Sequence, residues 1–255
     1  MEKQKGRGTM MHSMQKAVAS LCLVGLCSLP GLAGAQEAKP TASHAAHYAL
    51  EQELQGYVPG QVIYAQKGIV LRSRLIKEKD LIIHYPEVRV VGRPEVSRKI
   101  SRYFEKLAKA SQKAYEKADT MDERLTSRVD YQVSHHGDRY LSFQRYGYDF
   151  IERAAHPTSW ELGATFDLTT GEPVEWQKVV APKNKGAFTL EKINQALWST
   201  DYGKGHYFFS DFKGLKKLPQ NYYLDEQGNV HFVFGQYEIA PYSVGIIDLD
   251  MGLGL

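Results

Sequence analysis

Residues 80–104 read DLIIHYPEVRVVGRPEVSRKISRYF, and two periodicities meet within them. Up to Val91 the run is apolar and β-branched, and Gly92 and Pro94 close it. Such a segment reads as a strand ending in a turn. From Pro94 onward the apolar residues Val96, Ile100, Phe104, Leu107, Ala108, Ala114 and Ala118 recur at helical spacing, and Lys and Glu fill the other side. Proline suits the first helical turn because the N–H it lacks would have no partner there. One long amphipathic helix is therefore expected from Pro94 to Ala118, with its charged side a solvated face.

The segments on either side extend this pattern. GIVLRSRLI (68–76) is a second β-branched run, and the polar KEKD (77–80) joins the two as a hairpin. After the helix, SRVDYQVSH (127–135) alternates Val129, Tyr131 and Val133 with Asp130, Gln132 and Ser134, and HGD (136–138) supplies a turn. In the next strand, RYLSFQRYGYDFI (139–151), the apolar side passes from Leu141 and Phe143 to Tyr146, Tyr148 and Phe150. A one-residue slip sends side chains to the opposite face, so a bulge or strong twist is expected at Gln144–Arg145. WELGATFDL (160–168) is a further strand, and TTGE (169–172) is a turn. FTLEKINQALW (188–198) is a second, shorter helix with Leu190, Ile193, Leu197 and Trp198 on one face. DEQGN (225–229) turns between two strands, and a last strand is expected from Ser243 to Leu249. The strands read as hairpin-linked rather than crossing over each helix. The fold class is α+β, an antiparallel sheet with one long and one shorter amphipathic helix. No glycine-rich phosphate loop or dinucleotide fingerprint follows any strand.

The N-terminus has a different composition. Lys3, Lys5, Arg7 and Lys16 precede the uncharged stretch 17–35, which ends in Ala33-Gly34-Ala35 after Pro30. That is the pattern of a secretory signal peptide over residues 1–35; the alternative is a retained membrane anchor. Met10, Met11 or Met14 is an alternative start. Residues 36–60 read as a poorly ordered lead-in, 61–160 as an N-terminal subdomain and 161–255 as a C-terminal one. Both cysteines, Cys22 and Cys27, lie in the leader, so the mature chain would have no thiol and no disulfide, as suits an oxidising compartment. Taking the four basic residues and one acidic residue of 1–35 from the chain's 32 basic and 29 acidic leaves 28 of each. A balanced mature chain gives no electrostatic reason to expect nucleic acid or an anionic membrane as a partner. Membrane association is expected only if the leader is retained.

LIIHYPEV (81–88) ahead of a helix, DFIERAAHPTSWELGATFDLTTGEPVEW (149–176), LEKINQAL (190–197) and HFVFGQYEIAPYSVGIIDLDM (231–251) together resemble a two-part envelope domain family. The family is a domain of unknown function, 3298, preceded by another, 4163. It resembles the external region of lysozyme-sensing anti-sigma factors and the non-catalytic part of some peptidoglycan deacetylases. The resemblance runs from Gly60 to the end and implies an extracytoplasmic binding domain for a lysozyme-like protein or a peptidoglycan glycan. The family's loop usually reads Gly-Gly-Ala-His-Pro, whereas here Glu152-Arg153-Ala154-Ala155-His156-Pro157 lacks the glycines, which matters wherever the loop needs a positive φ. About 16 residues precede the apolar run, too few to fold a partner-binding unit, so an anti-sigma role is not expected. A fused deacetylase is not expected either.

The ligand-binding candidates are His156, Pro157, Tyr237, Glu238, Pro241 and Tyr242. His156-Pro157 sits in a loop, where recognition residues concentrate, although the simpler reading has the histidine fixing the loop through the backbone. YEIAPYSVG (237–245) brackets Pro241 with tyrosines. Proline cannot donate to a ladder, so the segment is a bend or an edge, and at least one tyrosine is expected near the His156 loop. Tyrosine offers a flat apolar ring and a hydroxyl at low entropic cost. No catalytic, metal or cofactor residue is assigned. His135 and His136 are adjacent in a strand and point to opposite faces. Asp248 and Asp250 share a strand face but read as solvated. The alternative function is a stand-alone envelope hydrolase acting on peptidoglycan through His156 and a nearby carboxylate.

Overall fold

The computed structural model describes residues 60–119 and 124–255. The expected leader and nearly all of the expected lead-in lie outside them. Six strands form one sheet in sequence order: β1 (Val62–Gln66), β2 (Ile69–Glu78), β3 (Leu81–Val90), β4 (Leu125–His136), β5 (Tyr140–Ile151) and β6 (Thr158–Asp167). Helix α1 (Pro94–Asp119) lies between β3 and β4. After β6 come α2 (Trp176–Val179), α3 (Leu190–Ser199) and α4 (Asp201–Lys204), then a second sheet of β7 (Tyr222–Leu224), β8 (Asn229–Phe234) and β9 (Ile247–Gly254). The α+β class holds, with α1 of 26 residues and α3 of 10. Among the described residues no helix is long and apolar enough to cross a membrane. The division expected at residue 160 falls inside β6, which pairs with β5 along its whole length.

The 68–91 hairpin pairs in unbroken register from Ile69↔Val90 to Glu78↔Leu81. The connection through α1 differs from expectation: it is a crossover, and Leu81–Ile83 pair parallel with Ser127–Val129. Beyond those three residues β3 has no second strand among the described residues, and the helix takes over part of that role. Ser101 Oγ accepts from Val88 N–H at 2.9 Å, and Ser97 Oγ accepts from Val90 N–H at 2.8 Å. These side chains satisfy backbone donors that a ladder would otherwise have to pair. Pro86 lies in the same stretch, past the residues paired with β4, where its missing N–H costs no ladder bond.

Val96, Ile100, Phe104, Ala108 and Tyr115 form the buried stripe of α1. Phe104 meets Phe143 edge-on at a centroid distance of 4.8 Å and lies 5.6 Å from Phe166, in a core with Leu71 and Leu141. Tyr115 is buried at the end of the stripe, beside the half-buried Ala114 that the sequence pattern favoured.

β5 keeps regular register through Gln144 and Arg145 with both neighbours. The expected bulge is not there: the irregularity lies on β4, between Val133 and His135. The apolar pattern of β5 changes face for a different reason. Leu141 and Phe143 face α1, but Arg145 continues that same face as a buried polar group and Asp149 as a half-buried one. Arg145 lies over the Trp160 ring at 5.3 Å, and burial pulls its guanidinium down to about 10. Asp149 accepts from Ser127 Oγ at 2.6 Å and Trp160 Nε1–H at 3.1 Å.

The second sheet covers the face of β4–β6 opposite α1. Leu224 N–H donates to the wholly buried Ser142 Oγ at 3.0 Å. Gly163 N–H donates to Asn221 Oδ1 at 2.9 Å, and Asn221 Nδ2–H donates to Glu161 O at 2.8 Å. A Cβ at residue 163 would sit 1.7 Å from Tyr222 O, so this contact requires glycine. Tyr140, Trp176, Ile193, Leu197, Phe232 and Leu249 belong to the core that joins α2, α3 and the second sheet. The last strand begins later than expected. Tyr242–Val244 form a 3-10 turn, Gly245 has φ +80°, and β9 runs from Ile247 to Gly254.

Candidate functional site

The 152–157 loop and the 235–245 bend meet. His156 stacks on Tyr242 with centroids 3.7 Å apart and planes at 20°. His156 Nδ1 lies 3.1 Å from Pro157 O, and its Nε2 lies 3.0 Å from Tyr237 Oη. A carbonyl only accepts, so Nδ1 carries a proton; in the neutral ring Nε2 then accepts from the Tyr237 hydroxyl. The two tyrosine rings are 5.9 Å apart. Of the six candidates, His156, Tyr237 and Tyr242 form this cluster directly.

The remaining candidates shape the backbone around it. Glu238 Oε2 accepts from Gly235 N–H at 2.8 Å, and Glu238 N–H donates to Gly235 O at 3.1 Å, which closes the bend. Pro241 is the extended residue before the 3-10 turn, with φ −61° and ψ 159°. Pro157 provides the carbonyl that orients His156. Gln236 Oε1 accepts from Ser159 N–H at 2.8 Å and ties the bend to the start of β6. Ile239 and Ala240 are buried and anchor the bend from below. Tyr237 is 46% exposed and has φ +63°, a left-handed conformation that a tyrosine adopts only at a cost. Arg153 has φ +71° in the loop where the resembled family carries glycines.

The sequence reading missed a second constellation, built on the second sheet. His231 Nδ1 lies 2.8 Å from Asp248 Oδ1, and its Nε2 lies 3.4 Å from both Asp225 Oδ2 and Asp250 Oδ1. The ring stacks on Tyr223, and the Tyr223 hydroxyl donates to Asp248 Oδ2. Burial works against a charged ring here, but Asp248, Asp250 and Asp225 outweigh it and hold the His231 pKa above its ordinary value. Asp248 and Asp250, read as solvated, thus flank a histidine. Their i, i+2 spacing on a strand was the available signal. The antiparallel register His231↔Asp250 supplies the rest.

Between the sheets, Gln132 Nε2–H donates to Gln144 Oε1 at 2.6 Å, and Gln144 Nε2–H donates to Glu161 Oε1 at 2.8 Å. Burial pushes Glu161 up to about 7, with Asp248 adding to the rise and the Gln144 bond opposing it. His135 and His136 have separate partners, as their alternation implied. His135 Nδ1–H donates to Asp225 O at 2.8 Å, and His136 Nδ1 pairs with Tyr64 Oη at 2.8 Å.

Residues 177–253 match the family described as "Protein of unknown function (DUF3298)". That span runs from α2 into β9. It includes Tyr237, Glu238, Pro241, Tyr242 and the whole His231 constellation, and it begins after the His156 loop. The fold is similar to the crystal structure of a DUF3298 family member from Bacteroides fragilis, with a TM-score of 0.55 and 13% identity over 71% of this chain and 89% of that one. It also matches a DUF3298 family protein from Pseudomonas aeruginosa PAO1, with a TM-score of 0.48 and 15% identity over 73% of this chain and 93% of that one. No curated protein matches the chain. At 13% identity the Bacteroides likeness concerns the fold alone.

Proposed function

We propose that this protein is an exported, non-catalytic binding domain of the cell envelope, and that the His156–Tyr237–Tyr242 cluster contacts a lysozyme-like protein or a peptidoglycan glycan. The observation that carries this reading is the stacking of His156 on Tyr242 beside an exposed Tyr237, where a loop and a bend meet. Aromatic faces with hydroxyls and an imidazole at their edges suit both sugar rings and protein anchors. The cluster is held in shape by Glu238, Gln236 and the Pro157 carbonyl, which leaves the outer tyrosine surface available to a partner. Such preorganisation lowers the entropic cost of binding.

A general base needs a nitrogen free to take a proton from substrate. Both ring nitrogens of His156 are engaged, by the Pro157 carbonyl and the Tyr237 hydroxyl, which favours recognition over hydrolysis at this loop. Calorimetric titration of the protein with lysozyme and with muropeptides tests the proposal. Binding to one of them, weakened at least tenfold in Tyr242→Ala, is the expected result. No binding to either overturns it.

A further inference from the structure

The His231 constellation has the arrangement of a cation site. Asp225 Oδ2 and Asp250 Oδ1 each lie 3.4 Å from His231 Nε2, and the three atoms all fall within 4.8 Å of one another. A separation of 3.4 Å is long for an N–H···O hydrogen bond, whose usual length is about 2.9–3.0 Å. It matches the edge of a tetrahedron whose metal–ligand bonds are about 2.0–2.1 Å, which is about 3.3–3.4 Å.

The ring is also presented in the form a metal needs. Tyr223 donates its proton to Asp248 Oδ2, so the only proton available to the 2.8 Å contact between His231 Nδ1 and Asp248 Oδ1 is the one on Nδ1. With Nδ1 holding that proton, a cation that displaces the Nε2 proton meets a lone pair directed toward Asp225 and Asp250. A carboxylate that fixes the histidine tautomer from behind is the usual outer partner of a ligating imidazole. The two carboxylates are themselves set by backbone donors: Asn229 N–H to Asp225 Oδ1 at 2.7 Å and Gly252 N–H to Asp250 Oδ1 at 2.7 Å.

We propose that His231 Nε2, Asp225 and Asp250 bind a divalent transition-metal ion of the Zn²⁺ class, with Asp248 as the positioning residue behind His231. An imidazole nitrogen among the ligands selects this class over Ca²⁺ and Mg²⁺, which take oxygen ligands. The Asp250 side chain is 55% exposed, so the fourth position opens to solvent. The ion would tie the β7–β8 turn to β9, and through the His135 bond to Asp225 O it would also brace the turn against β4.

Chelator-treated full-length protein is titrated with Zn²⁺ by calorimetry, alongside Asp250→Asn and Asp248→Asn. Asp250→Asn alters an exposed ligand and keeps the oxygen that caps Gly252. The wild type is expected to bind one equivalent more than Asp250→Asn, or to bind that equivalent at least tenfold more tightly. Asp248→Asn should retain the equivalent at about 10–100-fold lower affinity. Zn²⁺ should raise the Tm of the wild type and leave that of Asp250→Asn unmoved. Equal stoichiometry and affinity in the wild type and Asp250→Asn overturn the site. Equal response to Mg²⁺ or Ca²⁺ overturns the metal class.

Discussion

His156 and His231 each lie against a tyrosine ring and each use both ring nitrogens, yet they sit in opposite chemical settings. His156 stacks on Tyr242 and bonds a carbonyl and a hydroxyl, both neutral. His231 stacks on Tyr223 and faces three carboxylates. The first setting pairs the ring with neutral groups and presents rings outward. The second concentrates negative charge in a half-buried corner. One fold thus offers an aromatic surface at one place and a site for positive charge at another, and the two should respond differently to substitution.

The largest contrast is expected with pH. Glu161 lies near the charged corner, where Asp248 and His231 act on it, and its native pKa of about 7 exceeds the ordinary carboxylate value of about 4.3. Between those values the native state holds a proton that the unfolded chain has released. The stability this contributes is full below about pH 4 and is lost as pH rises from there through 7, a change of roughly 4 kcal/mol. Glu161→Gln keeps the oxygen that accepts from Gln144 and removes the titration. In urea unfolding the variant should match the wild type near pH 4 and exceed it by roughly 4 kcal/mol at pH 8. Parallel curves would mean that the corner does not desolvate Glu161.

Next in size is the contrast between the histidines themselves. His231→Ala leaves three carboxylates facing one another around a small cavity and should cost about 2 kcal/mol, an ion-pair loss reduced by the exposure of Asp248 and Asp250. His156→Ala loses one stacked pair and two neutral bonds and should cost about 1 kcal/mol. Chemical denaturation of the two variants at pH 6 checks the order. A larger cost at His156 would reverse the assignment of the charged corner as the more stabilising one.

The smallest expected effect is a gain. Arg153→Gly removes a left-handed non-glycine residue from the loop beside His156 and should stabilise the protein by about 1 kcal/mol, seen as a raised Tm. A lower Tm would mean that the Arg153 side chain contributes more than its backbone strain costs.

The strands and the helix that carry the fold were legible because their periodicities are long and uninterrupted, as in α1 and the 69–90 hairpin. The errors arose where a buried face is polar. Arg145 and Asp149 face α1 with partners of their own, so the apolar pattern of β5 imitated a bulge. The crossover at α1 was hidden because its parallel pairing spans only Leu81–Ile83. The aromatic cluster was legible because His156 precedes a proline in a loop and two tyrosines bracket Pro241. The charged corner was not. Asp225 reads as a turn residue and Asp248 and Asp250 as a solvated edge; the β7–β8 turn brings the first to His231, and the register of β8 with β9 brings the other two.

Tyr237 separates binding from stability more cleanly than any other residue of the aromatic cluster. Its ring is exposed and its backbone is strained at φ +63°, so Tyr237→Gly relieves the strain while removing the surface. Side-by-side thermal unfolding and calorimetric titration of the wild type and this variant, with whichever of lysozyme or muropeptide the wild type binds, is the decisive measurement. An unchanged or raised Tm with affinity lowered at least tenfold is expected. Undiminished affinity in Tyr237→Gly would remove the His156–Tyr237–Tyr242 cluster as the binding surface.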